Sequence, residues 1–203
     1  CEGKITELLL TGGFGELLGV PILKELRGFG FVGMRQNVDL LDQVRAQCDE
    51  LAEADMRRSI LLVRGDVGAP DHDIPRVAAF AGAVAQTAVE AGIGALANIE
   101  CWNEPRGDWW LQHGRFAEGM RACHESIRAA GFTGRIISGG LGNIQQKTLD
   151  KWADVVAAFP SDVAFGVHPY RTTRPPSARI PSGYWYRPAT DVHAAFDRVV
   201  QIA

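Results

Sequence analysis

Apolar and polar positions follow two rhythms along this chain. Short, nearly continuous apolar runs stand at residues 5–11, 31–36, 59–63, 95–102, 135–138 and 163–167. The run at 59–63 is almost wholly aliphatic, as a strand covered on both faces should be. Between the runs, apolar residues recur every three or four positions, the mark of an amphipathic helix. From about Asp39, the residues Leu40, Leu41, Val44, Cys48 and Leu51 share one helical face. After Pro75, a favourable first-turn residue, Val77, Phe80, Ala81, Val84 and Ala88 do the same, and Gly92 marks the stop. Phe116, Met120, Cys123, Ile127 and Ala130 form the next stripe, closed by Gly131. Leu149, Trp152, Val155, Val156 and Phe159 precede Pro160, and a last stripe runs through Val192, Ala195, Phe196, Val199 and Val200.

Six strand–helix units in succession predict a parallel α/β architecture. The strand starts recur about every 32 residues, so eight units would need about 250, the usual size of a TIM (β/α)8 barrel. The expectation is one domain over residues 1–203, an incomplete (β/α)8-type barrel with about six βα units. A doubly wound sheet satisfies the same alternation. Residues 172–188 are rich in Pro, Arg and aromatics and long for a loop, which points to a functional segment.

Composition narrows the classes. Of 203 residues, 46% are hydrophobic and 22% charged, too apolar for a disordered chain. The formal net charge of −3 argues against nucleic acid or an anionic membrane as the partner. The apolar stretch 8–23 is broken by Gly12, Gly13, Gly15, Glu16 and Gly19 and predicts no membrane span. Cys1, Cys48, Cys101 and Cys123 form no C-x-x-C pair, and the last three are expected as buried thiols. Thr11-Gly12-Gly13-Phe14-Gly15 lacks phosphate-loop spacing and reads as a tight turn. Asp66, Asp71, His72 and Asp73 lack zinc or EF-hand spacing, so a solvated polar loop is expected and no metal site, with substrate contact from Asp66 or His72 as the second reading.

The strongest chemical signal is Asn98-Ile99-Glu100-Cys101-Trp102-Asn103-Glu104-Pro105, at the C-terminal end of the fourth strand. That edge of a parallel sheet is where ligands bind. Pro105 ends the strand, because it has no ladder N–H and keeps Glu104 extended. An amide beside a carboxylic acid suits sugar chemistry: Asn103 can hydrogen-bond a hydroxyl while Glu104 transfers a proton.

Trp102-Asn103-Glu104-Pro105 at this position resembles the clan A retaining glycoside hydrolases, (β/α)8 enzymes with catalytic glutamates after strands four and seven. The resemblance implies that Glu104 is the general acid/base and that Asn103 holds the hydroxyl beside the anomeric carbon. It implies that His168 and Tyr170, two apart after the sixth strand, line the site, and that Arg35 hydrogen-bonds the nucleophile. Trp102, Trp109 and Trp185 are candidates for stacking on the apolar faces of sugar rings. Adjacent strand residues point to opposite faces, so Asn103 and Glu104 reach one pocket only through a backbone irregularity. Glu100 shares parity with Glu104 and Trp102 one pleat deeper, and is expected to pair with Arg64 or Arg35.

Retaining hydrolysis needs a second carboxylate, about 5–5.5 Å from the first. No glutamate in the chain stands where a seventh strand would end, so the sequence is expected to be a fragment truncated before strands seven and eight. The resemblance implies a full-length hydrolase of glycosidic bonds acting on a carbohydrate without a cofactor, and an inactive 203-residue chain. Three other readings stay open: a non-catalytic carbohydrate-binding barrel, a metal-dependent sugar isomerase-type barrel using Glu100, Glu104 and His168, and a doubly wound binding domain.

Overall fold

The computed structural model of the protein describes residues 8–14, 19–38, 40–63, 73–102, 115–139 and 146–166. Within them the chain alternates as β1 (Leu8–Phe14), α1 (Val20–Gly28), β2 (Phe31–Val38), α2 (Leu41–Glu53), β3 (Ile60–Val63), α3 (Ile74–Glu90), β4 (Asn98–Cys101), α4 (Arg115–Ala129), β5 (Arg135–Ser138), α5 (Gln146–Ala157) and β6 (Val163–Ala164). All strand pairs are parallel, and the order in the sheet is β1-β2-β3-β4-β5-β6.

That order settles the architecture. A doubly wound sheet reverses its direction of growth and so carries helices on both faces. Here each strand is laid beside the one before it, and right-handed crossovers then put every helix on the same face. The register shows this directly. Gln36, Leu61, Ile99 and Ile136 form one row across the sheet, and Val38, Val63, Cys101 and Ser138 the next. Both rows are buried, and their apolar members join the helix residues in one core. The alternate rows, Arg35-Ile60-Asn98-Arg135 and Asn37-Leu62-Glu100-Ile137-Ala164, occupy the opposite face, the wall of the barrel interior.

The helix stripes pack as their spacing predicts. Val44, Cys48 and Leu51 of α2, Val77, Ala81, Val84 and Ala88 of α3, and Phe116, Met120, Cys123 and Ile127 of α4 are all buried. Each large aliphatic or aromatic side chain removed from water contributes about 1.5–3 kcal/mol. Leu40 and Leu41 depart from the expected stripe and stand exposed, because Leu40 is still extended and Leu41 only opens the helix. Asp73, expected in a solvated loop, has a definite structural part: its carboxylate accepts from the Arg76 N–H at 3.1 Å and caps α3, with Pro75 in the first turn. The glycine-rich segment expected as a tight turn is strand instead, since β1 continues through Gly12 and Gly13 to Phe14. The register slips between Thr11 and Phe14, the irregularity that unencumbered glycine backbone permits within a ladder.

At the opposite edge of the sheet, Arg128 knots three segments together. Its Nη1 donates to the carbonyls of Phe132 (2.8 Å) and Gly134 (2.9 Å), while Nε and Nη2 donate to one carboxylate oxygen of Asp162 at 3.1 and 2.8 Å. His124 Nε2 lies 2.8 Å from the other oxygen. The end of α4, the turn into β5 and the residue ahead of β6 are thereby joined. The Arg128 hydrogen bond, aided by the charges of His124 and Arg128, holds the Asp162 carboxyl below its ordinary value of 3.8, against a smaller opposing effect of burial. A depressed carboxylate adds stability above its unfolded pKa and loses it as pH falls through the folded one. Asp162 is half exposed, so the contribution is at most about 1 kcal/mol. Asp162→Asn should lower unfolding free energy by a few tenths to about 1 kcal/mol at pH 7, and the difference from wild type should shrink as pH falls below the ordinary carboxylate range and through the depressed folded-state value. Urea titrations across that descent measure the loss.

Candidate active site

Strands β2 to β5 end level with one another, since Val38, Val63, Cys101 and Ser138 share a register row. At this C-terminal edge, Ser138 Oγ accepts from the Gly166 N–H at 3.0 Å and ties the end of β6 to that of β5. Glu100 is the penultimate residue of β4 and faces the interior wall at only 3% exposure. Arg35 points to the same wall from β2 and reaches past the intervening strand. Its Nε donates to Glu100 Oε2 at 2.7 Å and its Nη2 to Oε1 at 2.9 Å. This is the bidentate fork that guanidinium geometry favours. One of the two partners expected for Glu100 is therefore present. Leaving either charge without the other in so buried a place would cost about 3–5 kcal/mol. Arg35 does not stand at the strand end, as its sequence position suggested, because β2 runs on to Val38.

Asn37 and Leu62 complete the upper row of this wall with Glu100. Nothing in the chemistry of Asn37 marks it, but the two-residue period counted from Arg35 places it there.

Past Glu100 the backbone departs from strand geometry. The Trp102 N–H still donates to the Val63 carbonyl at 2.8 Å, and then Trp102 itself turns left-handed at φ +64°. A bulky residue rarely adopts that conformation. The irregularity expected at Asn103 and Glu104 themselves falls on residues outside those described; this one stands one residue ahead of Asn103. It also overturns the expectation that Trp102 lines the mouth beside Glu100 and Glu104. The indole is 2% exposed and lies in the helix-side core. It packs edge-on against Phe116 at 5.8 Å, and Phe116 contacts Trp152 (5.1 Å) and Phe159 (5.6 Å) in the same way. Two glycines make room for this residue, one for its ring and one for its backbone. A Cβ on Gly119 would stand 2.5 Å from the indole ring, and one on Gly139 2.7 Å from the Trp102 carbonyl oxygen.

The thiols on the helix side are chemically quiet. Cys48, Cys101 and Cys123 are buried and free, as expected. Burial, with help from the Asp49 charge, pushes the Cys48 thiol up to about 12. A hydrogen bond with Cys123, then burial, drives Cys101 well above the ordinary thiol range. Neither supplies a thiolate nucleophile at neutral pH. Among the described residues no three His, Cys, Asp or Glu side chains gather as a metal site, and no helix is long and apolar enough to cross a membrane. Asn103, Glu104, Trp109, His168, Tyr170 and Trp185 lie outside the described residues, as do Arg64, Asp66, Asp71 and His72.

The six-stranded parallel sheet grown in one direction is matched in fold among solved structures. The β-mannanase of Thermomonospora fusca in complex with mannohexaose superposes with a TM-score of 0.62 at 16% identity, over 95% of this chain and 65% of that one. The chain shares its fold with (β/α)8 glycoside hydrolases. The catalytic domain of a mannanase from Streptomyces sp. SirexAA-E matches at TM-score 0.60 and 15% identity, over 95% of this chain and 61% of that one. Thermotoga maritima Cel5A in complex with cellobiose matches at TM-score 0.64 and 14% identity, over 98% and 74%. The chain thus spans 65% of the length of the T. fusca enzyme it matches. No protein-family model matches the chain, nor does any curated protein sequence.

The close approach at Gly119 is open to test. Alanine is intrinsically better than glycine in a helix by about 1 kcal/mol, yet here its methyl would meet the indole. Gly119→Ala should destabilise by about 1–2 kcal/mol net of that gain, read from the urea midpoint. A more stable variant would mean that α4 does not close on Trp102.

Proposed function

We propose that the full-length protein, with residues 1–203 as part of a single catalytic domain, is a retaining glycoside hydrolase in which Glu104 is the general acid/base. The observation that carries this reading is positional. Asn103-Glu104-Pro105 directly follows Trp102, where β4 leaves strand geometry, in a sheet that shares the fold of sugar-cleaving barrels. The substrate is an oligo- or polysaccharide, and the mannohexaose and cellobiose bound in similar structures are in keeping with it. No cofactor takes part, and neither nucleic acid nor a membrane is a partner.

In this reading a carboxylate nucleophile attacks the anomeric carbon through an oxocarbenium-like transition state, while Glu104 protonates the leaving oxygen. In the second step Glu104, now a carboxylate, takes a proton from water, which breaks the glycosyl–enzyme ester. The neighbouring anionic nucleophile raises the proton affinity of Glu104 before the first step, and esterification lowers it before the second. Asn103 binds the hydroxyl next to the anomeric carbon. His168, Tyr170 and Arg35 orient the nucleophile and the sugar, and Trp109 and Trp185 stack on sugar rings. Trp102 acts from beneath, as a core anchor at the point where the chain leaves strand geometry ahead of Asn103. The 203-residue chain carries the acid/base and not the nucleophile.

Glu104→Gln in the full-length protein should cut kcat on an unactivated glycoside by about 10²–10⁴-fold, with less loss on an aryl glycoside whose leaving group needs no proton. The purified 203-residue chain should release no aryl alcohol from the same substrate. Undiminished turnover of the unactivated glycoside by the variant would end the assignment of Glu104. Sugar binding without hydrolysis by the full-length protein would favour a non-catalytic barrel.

A further inference from the structure

We propose that the space between β2 and α2 is a binding seat for an internal water molecule, held by the side chains of Gln36 and Gln47. The inference stands independently of the reading of Glu104 as the acid/base. Gln36 lies in the row of the sheet that faces the helices and is fully buried. Neither atom of its side-chain amide has a hydrogen-bond partner among the described residues. Gln47, on the buried face of α2, shares that condition with half of its amide. Its Nε2 donates to the Asn37 carbonyl at 3.3 Å, while its Oε1 has no partner among the described residues. Asn37 is the next residue after Gln36, so both amides meet the same short stretch of β2, where the chain rises only about 3.3 Å per residue.

A primary amide offers two N–H hydrogens and a carbonyl acceptor. Buried dry, it forfeits its bonds to solvent and gains none in return, a net loss on folding. Buried polar groups in folded proteins almost always have a partner, and internal water serves where the chain does not, making about three hydrogen bonds. One molecule here satisfies all three unpaired atoms. It accepts from Gln36 Nε2, donates one hydrogen to Gln36 Oε1 and donates the other to Gln47 Oε1. The Gln36 amide presents one donor and one acceptor whichever way it is turned, so the count does not depend on its orientation. The same set rejects ions: the N–H repels a cation, and the two carbonyl oxygens repel an anion. Leu61, Ile99 and Ile136 continue the Gln36 row and offer no polar side chain of their own. Arg35 and Asn37 flank Gln36 in the chain and face the interior wall. The water therefore joins α2 to β2 directly behind two residues of that wall.

The test reads the water directly, on the 203-residue chain, and does not depend on turnover. The Gln36 side-chain amide protons are assigned by NMR through bonds from the backbone, and their cross-peaks with water are recorded in the laboratory and rotating frames. A resident water gives cross-peaks of opposite sign in the two frames, whereas proton exchange gives the same sign in both. Opposite signs are expected at Gln36 Nε2. Urea unfolding supplies a second reading. Gln36→Met keeps the approximate volume but takes away two of the three partners of the water and strands Gln47 Oε1, so the midpoint should fall by roughly 0.3–1 M. A dry amide predicts the reverse, a midpoint that rises, because an unpaired buried polar group is removed. A direct bond between the two amides would also lower the midpoint, but it would leave Gln36 without the water cross-peaks. Missing cross-peaks or a raised midpoint overturns the proposal; the cross-peaks need no variant and decide alone if Gln36→Met does not fold.

Discussion

A β-strand presents its side chains to two sides in strict alternation, and in a sheet that grows in one direction all connecting helices fall on one of those sides. Everything described in this protein follows from that division. One set of rows, running through Gln36, Leu61, Ile99 and Ile136, is pressed against the helices, and its apolar members form the core with Val44, Val84, Phe116 and their neighbours. The other set can carry charge, since what it meets is the interior of a barrel and not a helix. Arg35 and Glu100 stand there, one residue away in the chain from fully buried positions on the opposite side. A slip of one residue in either strand would drive that strand's charge into the aliphatic layer and part the pair.

The pair is costly to assemble and costlier to break. Removing two charges from water offsets much of what they gain by meeting, so the contact is weak evidence of net stability. What it secures is relation: a planar fork on β2 and a carboxylate on β4, matched in two hydrogen bonds, allow little rotation of either. Trp102 does a comparable job on the backbone. Its left-handed turn is unfavourable in isolation, and the core compensates by sealing the indole between Gly119 and Phe116, with Gly139 close against the Trp102 backbone. Strain of this kind persists only where the surroundings over-determine it. Here it lies immediately ahead of the proposed acid/base.

Much of this was legible in the chain. The alternation of aliphatic runs with helical stripes identified all the described strands and the buried faces of α2, α3 and α4, because burial on one side leaves a period that local sequence must obey. Gly119 gave no such reading, since a glycine in a helix looks like a local weakness until the indole across from it is known. Leu40 and Leu41 fit the stripe and yet are exposed, because a pattern does not reveal where the helix begins.

By itself, the sequence determined the βα alternation, the buried thiols, the signal Asn103-Glu104-Pro105 after the fourth strand and the need for a kink beside it. All of these depend on neighbours close in the chain. Tertiary structure decided the rest. It chose a one-directional barrel wall over a doubly wound sheet, because strand order is a matter of which distant segments hydrogen-bond. It paired Glu100 with Arg35 across 65 residues. It also sent Trp102 into the core and not to the mouth, because a single positive φ reverses the parity that an unbroken strand would have imposed.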